Sequence, residues 1–303
     1  MNSNLSQPLL FLSIILLANL LKRAKVFKES DAQVLSQITL NITLPAAIVA
    51  GFSSFRMDSS LFLLILFGIL TNVILMGLAY LALRKESKDM QAFGLFNAST
   101  YNIGNFSFPF VQTLFGGPGL VAAALFDLGN ALMTTGLVYS VGTSLATNKK
   151  QSIRDILKKL LSSMPFITYL VMITLALADI HLPPFLTQWM DAIGKANPIV
   201  AMLMIGMMLE IRFEKGWLKQ AMKVIAIRYL CAALFSVLVW NLTSFSPMVK
   251  VTLALLFFSP VSSVATAYTQ RCTDKGKLSS FTSSVTVVLS TLSFLILVPL
   301  LNA

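Results

Sequence analysis

The residues best suited to chemistry lie in two polar interruptions of long apolar segments. The first interruption reads Tyr101-Asn102-Ile103-Gly104-Asn105-Phe106-Ser107-Phe108-Pro109, and the second reads Phe258-Ser259-Pro260-Val261-Ser262-Ser263. Asn, Gly, Ser and Pro at this density do not continue a regular helix at low cost. Because Ser followed by Pro is a helix-start signal, the pattern predicts that one helix begins at Ser259 and Pro260 and another at Ser107 with Pro109.

A helix that begins at membrane depth leaves backbone N–H groups free, and lipid cannot satisfy them. Inside a protein, those groups and the helix dipole favour an anion. The predicted chemistry is therefore the binding of a carboxylate-sized anion where the two interrupted segments cross. The candidate substrate-binding residues are Asn41, Asn102, Gly104, Asn105, Ser107, Pro109, Asn197, Ser259, Pro260, Ser262 and Ser263.

A structural role is the alternative for each of these residues. Pro and Gly kink ordinary membrane helices, and Ser or Asn side chains bridge neighbouring helices. Two matched interruptions favour a site over two unrelated kinks. Asn41 with Pro45, and Asn197 with Pro198, fit packing between domains equally well.

One carboxylate, Asp127, lies deep within an apolar segment, roughly 12 Å from the outer end by helix rise. Charges at such depth usually face a cavity or a partner. Asp127 could bind a coupling proton or Na⁺, or it could hold Arg228 or a nearby Asn in a structural role. The candidate ion-coupling residues are Asp127, Asn130 and Thr266.

Three other basic residues within or beside apolar segments have simpler interpretations. Lys195 follows Asp191 by four residues, and this spacing predicts a local helical ion pair. Arg228 and Lys250 are expected to snorkel towards the membrane surface along their apolar stems.

The sequence argues against an intramembrane enzyme. Acid–base catalysis would need a histidine or a pair of carboxylates within the membrane. The single histidine, His181, lies in a predicted outer connection, and Asp127 has no intramembrane carboxylate partner. No cofactor or metal site is expected beyond a coupling Na⁺ or H⁺. Cys231 and Cys272 give no disulfide framework, and no soluble domain is present to support a sensor or regulatory module.

The elements that must position these residues are membrane helices. The mean hydropathy is +0.79, 56% of residues are apolar and only 12% are charged, which excludes a soluble domain. Ten apolar segments each approach the ~20 residues that a helix needs to cross the hydrocarbon. Their predicted bounds are 6–21, 33–54, 60–83, 90–113, 119–146, 160–178, 186–209, 219–240, 247–269 and 279–301.

Positive charge alternates along the chain and predicts its topology. Apart from Arg56, Lys195, Arg228 and Lys250, every Lys and Arg falls in the five segments 22–28, 84–88, 149–159, 212–223 and 271–277. Basic connections accumulate on the cytoplasmic side, so both termini are expected outside, in a plasma (inner) membrane. The +11 net charge is spread over these connections, which favours an anionic leaflet over nucleic acid as the partner.

The polar stretch 147–159 divides the chain into two halves of five spans, 1–148 and 149–303. An odd number of spans per half means that any repeat is inverted. Asn41 with Pro45 corresponds to Asn197 with Pro198, and Pro109 corresponds to Pro260. Inverted repeats with broken helices are typical of transporters that work by alternating access.

Several of these motifs together resemble the auxin efflux carrier family. They are Leu40-Asn41-Ile42-Thr43-Leu44-Pro45-Ala46, Asn102-Ile103-Gly104-Asn105 with Pro109, Ala124-Leu125-Phe126-Asp127-Leu128-Gly129-Asn130, Ser259-Pro260 with Ala267-Tyr268, and Ser290-Thr291-Leu292. The resemblance covers essentially the whole chain.

The resemblance implies an all-α integral membrane fold of ten helices, shared with the bile acid sodium symporters, with broken helices crossing at spans four and nine. It implies a scaffold of spans 1, 2, 6 and 7 and a moving elevator domain of spans 3–5 and 8–10. It also implies a homodimer that forms through the scaffold. The implied substrates are small mono- or dicarboxylates, malate-like or auxin-like. The chain lacks the long central loop of the long plant carriers, so a bacterial source is expected. Na⁺ symport, proton coupling and uniport driven by membrane potential all stay open.

Overall fold

Apolar periodicity and polar breaks produce an all-helical chain. A computed structural model describes residues 3–53, 59–149, 151–209 and 216–301, and no β-strand forms within these ranges. The helices are α1 Ser3–Arg23, α2 Glu29–Ile38, α3 Leu44–Ser53, α4 Leu63–Leu83, α5 Lys88–Ala98, α6 Phe108–Leu132, α7 Tyr139–Thr147, α8 Ile153–Leu160, α9 Met164–Leu177, α10 Pro184–Gly194, α11 Asn197–Met208, α12 Trp217–Leu242, α13 Pro247–Phe257, α14 Ser263–Cys272 and α15 Gly276–Leu301.

Wider π-helical turns join several of these helices. Thr39–Thr43 connects α2 to α3, Ile103–Ser107 leads into α6, and Met133–Val138 connects α6 to α7. Within α6 the chain bends at Gly116, whose φ of 59° and ψ of −144° are not helical. The bend falls in the connection that the sequence predicts between the fourth and fifth spans, and glycine adopts this positive φ at low steric cost.

Several helical stretches are long and apolar enough to cross a membrane. Five such stretches occur among the described residues: Ser30–Ser53, Ser60–Leu83, Ile103–Thr147, Trp217–Leu242 and Gly276–Leu300. The 45-residue stretch is about twice the ~20 residues that one span needs, and Gly116 lies within it. A sixth candidate is the pair α8 and α9, which meet at an angle of 80°. A multi-pass membrane protein is supported, while the ten-span count stays a prediction.

The outer surface of the helix assembly is apolar. Leu81 on α4, Leu230 on α12 and Ile296 on α15 are each more than half exposed. A soluble protein rarely displays such continuous apolar surface, whereas a lipid-facing surface requires it. The lipid bilayer is therefore the environment that this surface fits.

Two glycines allow α4 and α6 to approach closely. A Cβ atom on Gly68 would lie 2.2 Å from the carbonyl oxygen of Phe126, and one on Gly129 would lie 2.2 Å from that of Ile65. Neither neighbour can move aside without shifting a helix backbone. Small residues at such contacts are the usual device for packing helices in lipid.

We therefore expect Gly68→Val to destabilise the protein, because the added side chain forces α4 away from α6. The cost should be about 1–3 kcal/mol or more, as for other overpacked contacts. Thermal unfolding of the detergent-purified protein measures it. The matched control is Gly77→Val on the same helix, where an added Cβ meets nothing within 4 Å. Equal midpoints for the two variants would contradict the close-packing interpretation.

Two predicted boundaries differ from the observed ones. The polar stretch before the sixth predicted span contains a helix, α8, which the sequence analysis treated as a connection. Its polar residues alternate with Ile and Leu at helical spacing, but eight residues are too few to stand out as a helix. The seventh predicted span is interrupted at Lys195 and Ala196, between α10 and α11.

Candidate binding site

The structure brings the two predicted interruptions together. Tyr101 and Val261 form an antiparallel backbone bridge, and the Asn102 N–H donates to the Pro260 carbonyl at 2.9 Å. The hydroxyls of Ser107 and Ser259 are hydrogen-bonded to each other. The breaks between α5 and α6 and between α13 and α14 therefore lie side by side. We call this contact the crossover, comprising residues 99–107 and 258–263.

One of the two helix starts at the crossover lies elsewhere than the Ser-Pro signal predicts. On one side, α14 begins at Ser263, and the Ser262 hydroxyl caps it by accepting from the Val264 N–H at 3.4 Å. Ser259 and Pro260 stay within the break, where their carbonyl oxygens bind partners outside their own helix. The prediction that this pair opens the helix was wrong.

On the other side of the crossover, the regular α-helix begins where the sequence predicts. Ser107 is the N-cap position of α6, and Pro109 lies in its first turn. A π-helical turn, Ile103–Ser107, precedes α6, so the helical chain already begins directly after Asn102. The π-helical turn accommodates Pro109 because the proline falls in the first turn of the regular α-helix that follows.

A cavity of about 530 Å³ lies against the crossover. It is bounded by the first turn after Asn102, by the ends of α11 and α12, and by α14 and α15. Its lining residues are Asn102, Asn105, Met204, Ile205, Met208, Leu209, Trp217, Ser263, Thr266, Gln270, Lys277, Ser280, Phe281, Ser283, Ser284 and Val287. Four of them, Asn102, Asn105, Ser263 and Thr266, are residues that the sequence analysis singled out.

Two asparagine side chains, those of Asn102 and Asn105, line this cavity. Asn105 is only 7% exposed, and its Oδ1 is buried without a hydrogen-bond partner in the described part of the chain. The half-buried Asn102 uses its backbone N–H at the crossover, which leaves its side chain for the cavity. The unpartnered Oδ1 of Asn105 costs free energy, so a water or a ligand group that donates a hydrogen bond to it is favoured.

The charges around the cavity favour an anion. Among the described residues that line it, Lys277 is the one charged side chain, and no Asp or Glu is present. The helix starts at Ile103 and Ser263 add the partial positive charge of their free N–H groups. The lining also includes apolar side chains, among them Met204, Ile205 and Met208 of α11.

Eight of the eleven predicted substrate-binding residues are not among those that line this cavity. Five of them lie at or beside the crossover: Ser107, Pro109, Ser259, Pro260 and Ser262. The other three have separate surroundings. Asn41 is exposed and donates to the Gln37 carbonyl of its own helix at 3.0 Å. Asn197 is fully buried, accepts from the Thr43 hydroxyl at 3.1 Å and donates to Gln112 Oε1 at 3.2 Å. Gly104 faces Leu44 of α3, 3.4 Å from where its Cβ would be.

Asp127 belongs to a hydrogen-bonded network beside the crossover. Its two carboxylate oxygens accept from Asn130 Nδ2 and from the Tyr169 hydroxyl, each at 2.8 Å. Asn130 also bonds both the N–H and the carbonyl of Tyr101, at 3.3 and 3.2 Å. Thr266 lies apart from this network and accepts from the Ser279 hydroxyl at 3.2 Å. The three predicted ion-coupling residues therefore do not form one cluster.

Arg228 reaches the crossover and does not snorkel. It is 3% exposed, and its guanidinium donates to the carbonyls of Asn97 at 3.2 Å, Ala98 at 2.7 Å, Thr100 at 2.7 Å and Ser259 at 2.6 Å. The expectation of snorkelling was wrong because the two broken helices offer carbonyl oxygens at membrane depth.

Lys250 and Lys195, the other two basic residues singled out in the predicted spans, each make one polar side-chain contact within the described residues. Lys250 is half-buried, and its ammonium donates to the Trp240 carbonyl near the end of α12 at 2.9 Å. The predicted pair of Lys195 with Asp191 is confirmed, at 2.6 Å between charged atoms.

Comparison with known proteins agrees with this architecture. A family model described as "Membrane transport protein" matches residues 5–301. The chain belongs to that family. Its resemblance to the auxin efflux carriers is thereby confirmed, and the protein is a membrane transporter.

Two archaeal relatives are similar over most of their length. An uncharacterized transporter of Methanothermobacter thermautotrophicus is 28% identical over 231 residues, which cover 74% of each chain. An uncharacterized transporter of Methanocaldococcus jannaschii is 27% identical over 221 residues, which cover 69% of this transporter and 71% of the relative. The expected bacterial source stays a prediction beside these archaeal relatives.

Sequence reasoning missed one wall of the transporter's cavity. Ser280, Ser283 and Ser284 of α15 line it, together with Gln270 and Lys277. The signal was available in the sequence, because serines at positions i, i+3 and i+4 share one face of a helix. It was overlooked because the final span contains no Pro or Gly at that point to mark it as unusual.

A second cavity of about 470 Å³ lies between α3, α10 and the bend in α6. Gln112, Gly116, Leu120, Asp191 and Lys195 are among the residues that line it. Its lining includes Gly116 and Gly117, in a predicted connection without Lys or Arg, whereas Lys277 of the first cavity belongs to a basic segment. The two cavities therefore lie beside connections of opposite predicted sidedness.

Proposed function

We propose that this transporter carries a small organic anion, which binds through a carboxylate in the cavity at the crossover. The observation that carries the proposal is the position of the Asn102 and Asn105 side chains beside two helix starts, in a cavity whose one charged lining residue in the described part of the chain is Lys277. Asn102 and Asn105 would donate to the carboxylate, and the free N–H groups at Ile103 and Ser263 would add to the field that holds it.

The rest of the cavity would select the body of the substrate. The apolar side chains of Met204, Ile205 and Met208 suit a hydrocarbon or ring portion, and the serines of α15 suit hydroxyl groups. A monocarboxylate with an apolar body fits a cavity with both polar and apolar lining better than a compact dicarboxylate does. The second charge of a dicarboxylate would contact the methionine side chains. Both classes belong in a screen.

Alternating access would bring the site to each side of the membrane in turn. The ten-span inverted repeat, with an elevator movement of spans 3–5 and 8–10 against spans 1, 2, 6 and 7, would supply it. In support, the first cavity borders Lys277 in a basic, cytoplasmic-type connection, and the second borders a connection of the opposite predicted side. Outside termini, a plasma-membrane location and a homodimer through the scaffold complete this proposal.

The test is ligand-induced thermal stabilisation of the detergent-purified transporter with a panel of mono- and dicarboxylates. A ligand that binds the folded state raises the unfolding midpoint by mass action. We expect at least one carboxylate to give a saturable rise, and its uncharged amide analogue to give none. Asn105→Leu keeps the side-chain volume and removes the amide, so it should weaken binding roughly tenfold or more.

The matched control is Asn41→Leu, which removes an exposed amide outside the cavity and should leave ligand affinity unchanged. Two results would contradict the proposal. One is equal stabilisation by a carboxylate and its amide analogue. The other is a carboxylate response that Asn105→Leu leaves intact.

A further inference from the structure

Among the described charged residues, Arg228 stands out because its four hydrogen bonds all go to backbone carbonyls, while its buried Nε has no partner in the described part of the chain. Three of the four carbonyls belong to the end of α5 and the residues after it, and the fourth, Ser259, follows α13. Within the described ranges, no carboxylate lies within 4.0 Å of this guanidinium. Backbone dipoles therefore compensate its charge in place of an acidic side chain.

The carbonyls that Arg228 binds are of the kind that a coupling cation would use. The last carbonyls of a helix lack partners within the helix and carry partial negative charge. In transporters built on broken helices, unwound backbone carbonyls and the C-terminal ends of half-helices coordinate the coupling Na⁺. Here a side chain with five N–H donors and a permanent charge occupies that environment at hydrogen-bond distances.

We propose that Arg228 is a tethered cation that takes the place of a dissociable Na⁺ at the crossover, so that anion binding and transport need no Na⁺. The inference rests on the proposed function for the nature of the substrate. It adds that a fixed side-chain charge, and not a bound Na⁺, supplies the positive charge at that site. It favours uniport or proton coupling over the Na⁺ symport that the family resemblance left open.

Arg228 acts on the substrate through the backbone, as a positioning residue. It is absent from the cavity lining, but its carbonyl partners Thr100 and Ser259 flank the chain segments that lead to Asn102 and Ser263. By neutralising the carbonyl ends of α5 and α13, it leaves the two helix starts as the dominant dipoles beside the cavity. The field at the crossover then favours an anion without any added cation.

Several neighbouring polar groups are engaged with one another, although Asn105 Oδ1 and Asn72 Oδ1 are buried without a partner in the described part of the chain. Asn97 holds Thr269 and Ser279 through its side chain, with bonds of 3.2 and 2.7 Å. Both carboxylate oxygens of Asp127 accept from Asn130 and Tyr169.

The test starts with Na⁺ alone, on the full-length protein in detergent with no organic anion. The unfolding midpoint is measured in NaCl and in choline chloride at equal ionic strength. For the wild type we expect midpoints that agree within about 1 °C, since a cation without a site gives no mass-action stabilisation. Arg228→Lys keeps the charge in place and should also show no preference for Na⁺. A saturable, Na⁺-specific rise in either protein would overturn the inference.

Arg228→Ala vacates the position and should create a cation requirement. We expect its midpoint to fall by several degrees, and Na⁺ or methylguanidinium, but not choline, to restore part of the loss. Lys250→Ala, which removes a different basic side chain from a predicted span, is the control and should gain no such response. A folded Arg228→Ala protein that responds to neither cation would overturn the inference. If Arg228→Ala does not fold, the wild type and Arg228→Lys still decide the question.

The outcome is separable from that of the carboxylate screen. If no carboxylate stabilises the wild type, the proposed substrate class fails, while the Na⁺ titration still reports on Arg228. If a carboxylate stabilises the wild type only when Na⁺ is present, the substrate class holds and the tethered-cation inference fails.

Discussion

Asn130→Leu should abolish transport and lower the stability of the protein more than any other single amide-to-leucine change in the described spans. The side chain of Asn130 bonds the N–H and the carbonyl of Tyr101 and one oxygen of Asp127. Leucine has a similar volume but leaves all three groups buried and unpaired. Each unpaired group costs about 1–3 kcal/mol, so a total of roughly 3 kcal/mol or more is expected.

The measurement pairs thermal unfolding with uptake into proteoliposomes of whichever carboxylate the screen identifies. Asn241→Leu is the matched control, because Asn241 is exposed and makes a single local bond, to the Val237 carbonyl at 2.7 Å. Its midpoint should stay close to that of the wild type. A midpoint for Asn130→Leu that equals the control's would show that Tyr101 needs no side-chain support at the crossover.

The position of the crossover could be predicted because its signal is local in the sequence. Asn, Gly, Ser and Pro stand out against apolar neighbours, and each side of the contact carries its own set. Each break in a membrane helix needs hydrogen-bond partners for its backbone groups. Two breaks at the same depth can supply these partners to each other, and here they do so through the Asn102 N–H and the Pro260 carbonyl.

The start of α14 was harder to place, because several residues in a row could cap a helix. Ser259 and Ser262 are both suitable N-caps, and the sequence alone does not say which carbonyls the rest of the protein will use. Arg228, which lies 31 residues earlier in the chain, binds the Ser259 carbonyl and so favours Ser262 over Ser259 as the N-cap. The break therefore extends to Ser262, which caps α14.

The role of Arg228 itself was beyond local reasoning. Its partners Asn97, Ala98 and Thr100 are 131, 130 and 128 residues away in the sequence. An arginine near the end of an apolar segment is usually a snorkelling residue, and only the tertiary arrangement of two broken helices makes burial favourable. The exposed position of Asn41 has the same origin, because sequence correspondence with Asn197 says nothing about which side of the helix faces the core.

The hydrogen bond from Tyr169 to Asp127 has a special place in the proposed mechanism. Tyr169 lies on α9, in the predicted sixth span of the scaffold, and Asp127 lies in the predicted fifth span of the moving domain. If these domains slide past each other, this bond exists only in one arrangement. It would then hold the protein in the conformation described here, in which Tyr169 is 1% exposed.

Tyr169→Phe should therefore shift the conformational equilibrium as well as lower stability. Without the hydroxyl, one carboxylate oxygen of Asp127 is buried without a partner, at a cost of about 1.5–3 kcal/mol for a bond to a charged group. That cost corresponds to a shift of roughly 10- to 100-fold in the population of this conformation. Asp127→Asn combined with Tyr169→Phe should lose less than the sum of the two single changes, because the variants share one interaction.

Chemical labelling of a single cysteine reports the shift directly. Leu120 borders the second cavity and is 3% exposed, so Leu120→Cys, in a background without Cys231 and Cys272, should react slowly. Adding Tyr169→Phe should speed the reaction by a factor similar to the population shift. Tyr229→Phe is the control, since its hydroxyl bonds Thr286 and Ser290 within the same predicted moving domain. Equal acceleration by both changes would mean that Tyr169 only stabilises the fold, and that the bond to Asp127 does not join two moving parts.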